Sequence, residues 1–323
     1  MKKHSLPVAL LLWFGPVLFA QEIRSLTFAG ATVIAHDTRL EGSVIGGLSG
    51  ITYHPESDRY YLVADKYPAR MFRVRISVQD SLIVDFQQVI KLNPALLQQA
   101  ELEGIAFNPV AGNFIVSDEQ GQGTRIFTLT PEGRFMHIIE PVNQGFLPLS
   151  NHNSGIEGLT VSHKGNTLYY AFEKPIPACQ DNALVQLTRL SSDNRQRQNF
   201  WYPLHAVAHD KIPTNGISEI LYLTDSSLLV MERAYIPDEG NVVRIYRVQL
   251  PIINDARKTS CTDPDVTPLT PELLFDFATV KSFAIDNAEG MAFNADRSLL
   301  LLVTDNNFSK KQQTQLVALR VGY

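Results

Sequence analysis

The sequence predicts an all-β fold, a β-propeller of four-stranded blades closed into a ring. Three observations predict it. Five in-phase repeats run through the chain, each repeat contains strand-like stretches and no helical ones, and one unassigned strand is left over at the N-terminal end. Self-similarity at a period of 40 to 50 residues or so, with four strands per unit, is the pattern of propeller blades.

The repeats begin at Ser49-Gly50-Ile51-Thr52-Tyr53, Glu103-Gly104-Ile105-Ala106-Phe107, Glu157-Gly158-Leu159-Thr160-Val161, Glu219-Ile220-Leu221-Tyr222-Leu223 and Glu289-Gly290-Met291-Ala292-Phe293. Their starts are 54, 54, 62 and 70 residues apart. After a turn-rich linker comes an almost wholly apolar run that ends in an acid: Tyr61 to Asp65, Phe114 to Asp118, Tyr169 to Glu173, Leu228 to Glu232 and Leu301 to Asp305. A strand apolar on both faces is expected where one sheet lies between two others. A third stretch follows in every unit (Met71 to Ile76, Arg125 to Leu129, Ala183 to Leu187, Val242 to Val248, Gln315 to Val321). A fourth follows in the first four units (Leu82 to Ile90, Phe135 to Val142, Phe200 to Val207, Leu273 to Val280). All are short, rich in Val, Ile, Phe and Tyr, and bounded by Gly, Pro, Asn and Asp. The last unit lacks its fourth strand, and Ser25 to Ile34 is the segment that would supply it, removing an open edge. Five blades are expected; the alternative is a sixth, degenerate blade inside the longer units.

The chain has 323 residues, 45% of them hydrophobic, which is enough for a large core. Its net charge of −5 gives no basic surplus, so nucleic acid is set aside as a partner. Lys2 and Lys3 precede an apolar run from Leu6 to Phe19, and Ala20 is a small residue before Gln21. Residues 1–20 therefore read as a cleaved export signal, and residues 21–323 as one periplasmic or secreted domain with no stable membrane span. A monomer is expected. Cys179 and Cys261 lie in connections that emerge on opposite faces of a regular propeller, so both a disulfide and two free thiols stay open.

The first strand of a blade starts at the central channel and the second ends there, so their acids share one rim. The paired positions are Ser49/Asp65, Glu103/Asp118, Glu157/Glu173, Glu219/Glu232 and Glu289/Asp305. Like charges about 6 Å apart cost roughly 3 kcal/mol per pair at an effective dielectric near 20. A bound cation, backbone N–H groups, basic partners or protons must compensate. An all-oxygen set suits a hard cation, most simply Ca²⁺, and no organic cofactor is expected. The metal candidates are Glu103, Glu157, Glu289, Asp118, Glu173 and Asp305; the competing role is tying each blade to the next. His152 and Lys174 are candidates for contacting substrate.

Other patterns carry less. Gly47-Leu48-Ser49-Gly50-Ile51 fails the G-x-S-x-G spacing because Ile51 stands where Gly is needed. His205 and His209 are four apart without an H-E-x-x-H frame, and Asp263 and Asp265 flank Pro264 in a linker, where turns are expected.

Glu103-Gly104-Ile105-Ala106-Phe107 running to Ser117-Asp118, Gly155-Ile156-Glu157-Gly158-Leu159 running to Phe172-Glu173-Lys174, and Ala288-Glu289-Gly290-Met291-Ala292-Phe293 running to Thr304-Asp305-Asn306 resemble the phytase-like family of exported bacterial proteins, described as esterase-like activity of phytase. The resemblance covers nearly all of residues 21–323, and it implies that the repeated Glu and Asp are active or metal-binding groups. Ser49 for Glu and Ile220 for Gly depart from the pattern in the first and fourth repeats. With the acidic rim, the resemblance implies metal-assisted hydrolysis of a small phosphoester or ester, with Asp118, Glu173 and Asp305 as catalytic carboxylates. The rival is a non-catalytic propeller that binds a ligand or partner on the same rim.

Overall fold

The second strand of each repeat explains the architecture. In the first blade Tyr60, Leu62 and Ala64 pack into one hydrophobic cluster, while the alternating Tyr61 and Val63 pack into another. Leu228 and Val230 likewise face one cluster, and Leu229 and Met231 the next. Successive side chains of a strand point to opposite faces. A strand that is apolar at every position is therefore buried between two neighbouring blades, and four inter-blade clusters form the core.

The protein is described by a computed structural model covering residues 22–323, apart from 67, 80, 94–96, 98–99, 120–123, 143–154, 192–195, 206, 208–213 and 252–259. After β1 (Ser25–Ile34) and a small hairpin, β2 (Arg39–Leu40) and β3 (Ser43–Val44), come five four-stranded antiparallel sheets. The first comprises β4 (Leu48–His54), β5 (Arg59–Ala64), β6 (Arg70–Val78) and β7 (Leu82–Lys91). The second has β8 (Leu102–Asn108), β9 (Asn113–Asp118), β10 (Thr124–Leu129) and β11 (Phe135–Val142). The third has β12 (Ile156–Val161), β13 (Thr167–Phe172), β14 (Leu184–Ser191) and β15 (Arg197–Pro203). The fourth has β16 (Thr214–Thr224), β17 (Ser227–Ile236), β18 (Gly240–Gln249) and β19 (Glu272–Asp276). The fifth joins β20 (Ala288–Phe293), β21 (Leu299–Thr304) and β22 (Thr314–Gly322) to β1.

There are five blades, and no sixth among the described residues. The N-terminal strand closes the ring as expected: β1 pairs with β22 from Ser25↔Gly322 to Ile34↔Thr314. The inner strands β4, β8, β12, β16 and β20 line the axis in that order. They stand so close that Cβ atoms on Gly50, Gly104, Gly158 and Gly290 would lie 2.5–2.9 Å from atoms of the adjacent inner strand. Glycine is required there by space rather than by dihedral angle.

Cys179 and Cys261 form a disulfide, with Cα atoms 5.8 Å apart. The linker between β18 and β19 leaves its own blade to reach it: Leu269 N–H donates to the Trp201 carbonyl of β15 at 2.8 Å. Trp201, Leu184 and the two cysteines form a small cluster of their own. Among the described residues no helix is long and apolar enough to cross a membrane. The expected export signal, His152 and His209 lie outside the described residues.

Candidate functional site

Each inner strand carries a β-bulge at the same place. The register slips between Leu48 and Gly50, Leu102 and Ile105, Ile156 and Gly158, Ile217 and Glu219, and Ala288 and Gly290. A bulge leaves one residue out of the ladder and re-aims its side chain. The equivalent residues are Ser49, Glu103, Glu157, Ser218 and Glu289, all buried. A second ring follows from the ends of the second strands. The N–H groups of Asp65, Glu119, Glu173 and Asp305 donate to the carbonyls of Gly47, Glu101, Gly155 and Asn287 at 2.8–3.0 Å. In the fourth blade Arg233, paired with Gly216, holds that position.

The sequence alignment is therefore corrected at three places by one residue each. Asp118 turns away from the ring: its carboxylate binds Arg125 Nε at 2.7 Å and Nη2 at 2.6 Å, and accepts the Glu101 N–H at 3.0 Å. Glu119 takes its place. Glu232 accepts from Tyr202 Oη at 2.6 Å and meets His205 Nδ1 at 2.7 Å, an outward structural contact, so Arg233 takes its place. Glu219 stands at the glycine position and Ser218 at the ring. An acid adjoins the ring position in each of these places, so residue type alone points one residue away from it. The apolar frame carries the true phase: Leu48, Leu102, Ile156, Ile217 and Ala288 precede the ring residue, and Tyr53, Phe107, Val161, Tyr222 and Phe293 end the motif.

Glu219 has a different task. Its Oε1 accepts the N–H groups of Leu159 at 3.0 Å and Ile220 at 2.9 Å. A further backbone bond comes from Met291, so one carboxylate joins three blades. β16 touches β20 less extensively than the other inner strands touch one another, which leaves width for this side chain.

The two rings bring together Glu103, Glu157, Glu289, Asp65, Glu119, Glu173 and Asp305, with the largely buried Arg233 facing Glu289, Glu173, Glu157 and Asp305 and the buried Arg70 near Asp65. Arg233 Nη2 lies 3.6 Å from Glu289 Oε1 and 3.7 Å from Glu173 Oε1, and Nη1 donates to Asn287. Lys174 Nζ caps Glu173 at 2.9 Å and Lys66 stands 3.8 Å from Asp65, both nearer solvent. Burial, then the charges of Glu157, Glu289, Glu119 and Asp65, pushes the Glu103 pKa well above the usual carboxylate range. Burial comes first for Glu157 and Glu289 too, reinforced by Glu173 and Asp305 respectively, and both are raised well above normal. Asp65 and Glu119 are pushed up to about 7, again chiefly by burial. Burial opposes the charge on Arg233, but Glu289, Glu173, Glu157 and Asp305 together outweigh it and raise its pKa.

The cluster has more carboxyl groups than its own bases can pair, and its geometry fits a hard cation that would take the place of their protons. One carboxylate oxygen from each of Glu103, Glu119 and Glu157 lies within 4.8 Å of the others. Two oxygens on opposite sides of a Ca²⁺ ion at about 2.4 Å each would be about that far apart. Asp65 Oδ1 is buried without a hydrogen-bond partner, as an oxygen meant for a cation or a proton would be. Beside the mouth, a cavity of about 900 Å³ between the fourth and fifth blades is lined by Arg233, Asn287, Asn307 and Gln313 among others. It offers room for a small polar substrate next to the acids.

The solved structures that match are of low identity. An endo-arabinase from Bacteroides thetaiotaomicron is 13% identical with a TM-score of 0.49, over 86% of this chain and 95% of that one. An endo-1,4-beta-xylanase from the same organism is 9% identical with a TM-score of 0.48, over 86% and 95%. A gluconolactonase from Xanthomonas campestris is 12% identical with a TM-score of 0.41, over 95% and 99%. No curated protein sequence matches. The phytase-like family, described as esterase-like activity of phytase, matches residues 43–308, a span that holds all five blades' inner strands and both rings of the mouth. The chain belongs to the phytase-like family.

Proposed function

We propose that the protein is an exported, divalent-metal-dependent hydrolase of small phosphoesters, working at the acidic mouth of the channel. The observation that carries this reading is the gathering of seven carboxyl groups at one mouth, four of which, Glu289, Glu173, Glu157 and Asp305, act on the Arg233 guanidinium. Glu103, Glu119 and Glu157 would hold the cation. When bound, a divalent cation supplies neutralising charge and polarises a phosphoryl oxygen. Arg233, set between Glu173 and Glu289, presents the charge that orients a phosphate, and Lys174 reaches the same rim from the solvent side. Glu173 and Asp305 hold that guanidinium charged. Asp65, with a pKa near 7 and an unpartnered oxygen, is poised to take a proton from an attacking water. The buried disulfide supports an oxidising compartment outside the cytoplasm.

A panel of phosphomonoesters, phosphodiesters and carboxylic esters, assayed with Ca²⁺, Mg²⁺ or Mn²⁺, tests the reaction. Phosphoester turnover should fall at least about 100-fold in Asp65→Asn and in Arg233→Gln, the loss associated with one catalytic acid–base or charge-stabilising group. Turnover unchanged in both folded variants overturns the residue roles. Bound metal with no turnover across the panel points instead to a binding propeller.

A further inference from the structure

The channel has two unlike ends. Each inner strand starts at the acidic mouth and finishes at the opposite face, where the five motif ends open a second cavity of about 290 Å³. Its floor is apolar, formed by Ile51, Ile105, Leu159 and Met291. Its walls carry the rings of Tyr53, Phe107, Tyr222 and Phe293. The size is at the lower end of the roughly 300–1,000 Å³ of small-molecule sites. No acid is among the lining residues, and the two basic ones are Arg297 and His163.

Arg297 is the informative residue. Its guanidinium stacks over Phe293, 4.4 Å from the ring centroid. Nη1 faces His163 Nε2 at 3.2 Å and the Leu223 carbonyl at 3.5 Å. An arginine can only donate, so His163 Nε2 accepts and its ring proton sits on Nδ1. Nε is buried without a partner, and no carboxylate pairs with the guanidinium among the described residues. The backbone of Arg297 is in the left-handed region at φ 58°, uncommon for a residue other than glycine. The nearby acids Asp58, Asp225 and Asp296 are engaged elsewhere, by Tyr53, by Lys164 and Tyr222, and by Ser298. A half-buried cation in an apolar cup, left without an acid, lacks the anion that its donors could bind.

We propose that this funnel is a second binding site, for a small amphipathic carboxylate. The apolar body, aromatic or branched, stands on the Ile51, Ile105, Leu159 and Met291 floor between the rings. The carboxylate accepts from the free edge of Arg297, whose Nη1 is held by His163 Nε2.

The test uses the full mature protein in EDTA, so that metal at the acidic mouth cannot hold the probe. 3-Phenylpropionate and its neutral amide are titrated by calorimetry, with the Met291 methyl resonance as the reporter of place. The acid should bind at least about tenfold more tightly than the amide, as a charge-assisted bond requires. The Met291 signal should shift saturably with the acid. Arg297→Gln should abolish the preference and Arg297→Lys should retain part of it. Equal affinity for acid and amide in the unaltered protein overturns the proposal, which keeps it open to refutation even if the variants do not fold. So does the absence of a saturable Met291 shift up to about 10 mM probe, or a preference that survives Arg297→Gln.

Discussion

At the residue scale, Arg233 decides how the mouth is held together. A guanidinium stands where three other blades have an acid known from the sequence pattern and the second has Glu119, and it faces Glu173 and Glu289. Replacing it with Ala leaves those carboxylates without their largely buried counter-charge. Removing one partner of a buried pair costs about 3–5 kcal/mol, so thermal unfolding of Arg233→Ala should occur several degrees below the parent in metal-free buffer. The acids also set a pH dependence. Asp65 and Glu119 have folded pKa values near 7, above the unfolded value near 4, so the folded state binds more protons between those limits. Their contribution is fully present below about pH 4 and is lost as pH rises to about 7. Metal-free protein should thus be more stable at about pH 5 than at about pH 7.5, a difference reduced in Asp65→Asn/Glu119→Gln when measured by urea unfolding at both values. A double variant with the parent's full pH response would contradict the assignment.

At the element scale, the sequence shows which segments are strands but not how the bulges set their side chains. The alternation of Leu228 to Met231 and of Tyr60 to Ala64 is readable because burial on both faces demands an unbroken apolar run. The bulge is different: it shifts register by one residue, and one residue moves a side chain to the other face. Where two polar residues adjoin, as in Asp118-Glu119, Ser218-Glu219 and Glu232-Arg233, residue type alone selects the wrong member of the pair. The glycine after the bulge in the first, second, third and fifth blades is the more faithful marker. A Cβ at Gly104 would meet Leu159 Cβ at 2.6 Å and the Glu157 carbonyl at 2.8 Å. Gly104→Ala should cost about 1–3 kcal/mol by overpacking, seen as a lower urea midpoint with an unchanged slope.

At the scale of the whole molecule, closure and cross-linking fix a ring whose two ends differ chemically. The pairing of β1 with β22 joins the first described strand to the last, and its need was legible from the missing fourth strand of the last repeat. The disulfide was not legible, because its linker crosses from the fourth blade to the third, a path no repeat pattern encodes. Bridging residues 82 apart, it should contribute on the order of 4 kcal/mol through the unfolded chain. Reduction under conditions that spare the native state should lower the unfolding temperature accordingly. What the ring organises is the mouth, where five strand starts and five strand ends meet. Calorimetric titration of metal-free mature protein with Ca²⁺ tests that claim most directly. Saturable binding with release of protons near pH 7, lost in Glu103→Gln/Glu157→Gln while the fold is kept, is the expected result. No heat of binding at millimolar Ca²⁺, or binding untouched by the double variant, would contradict it.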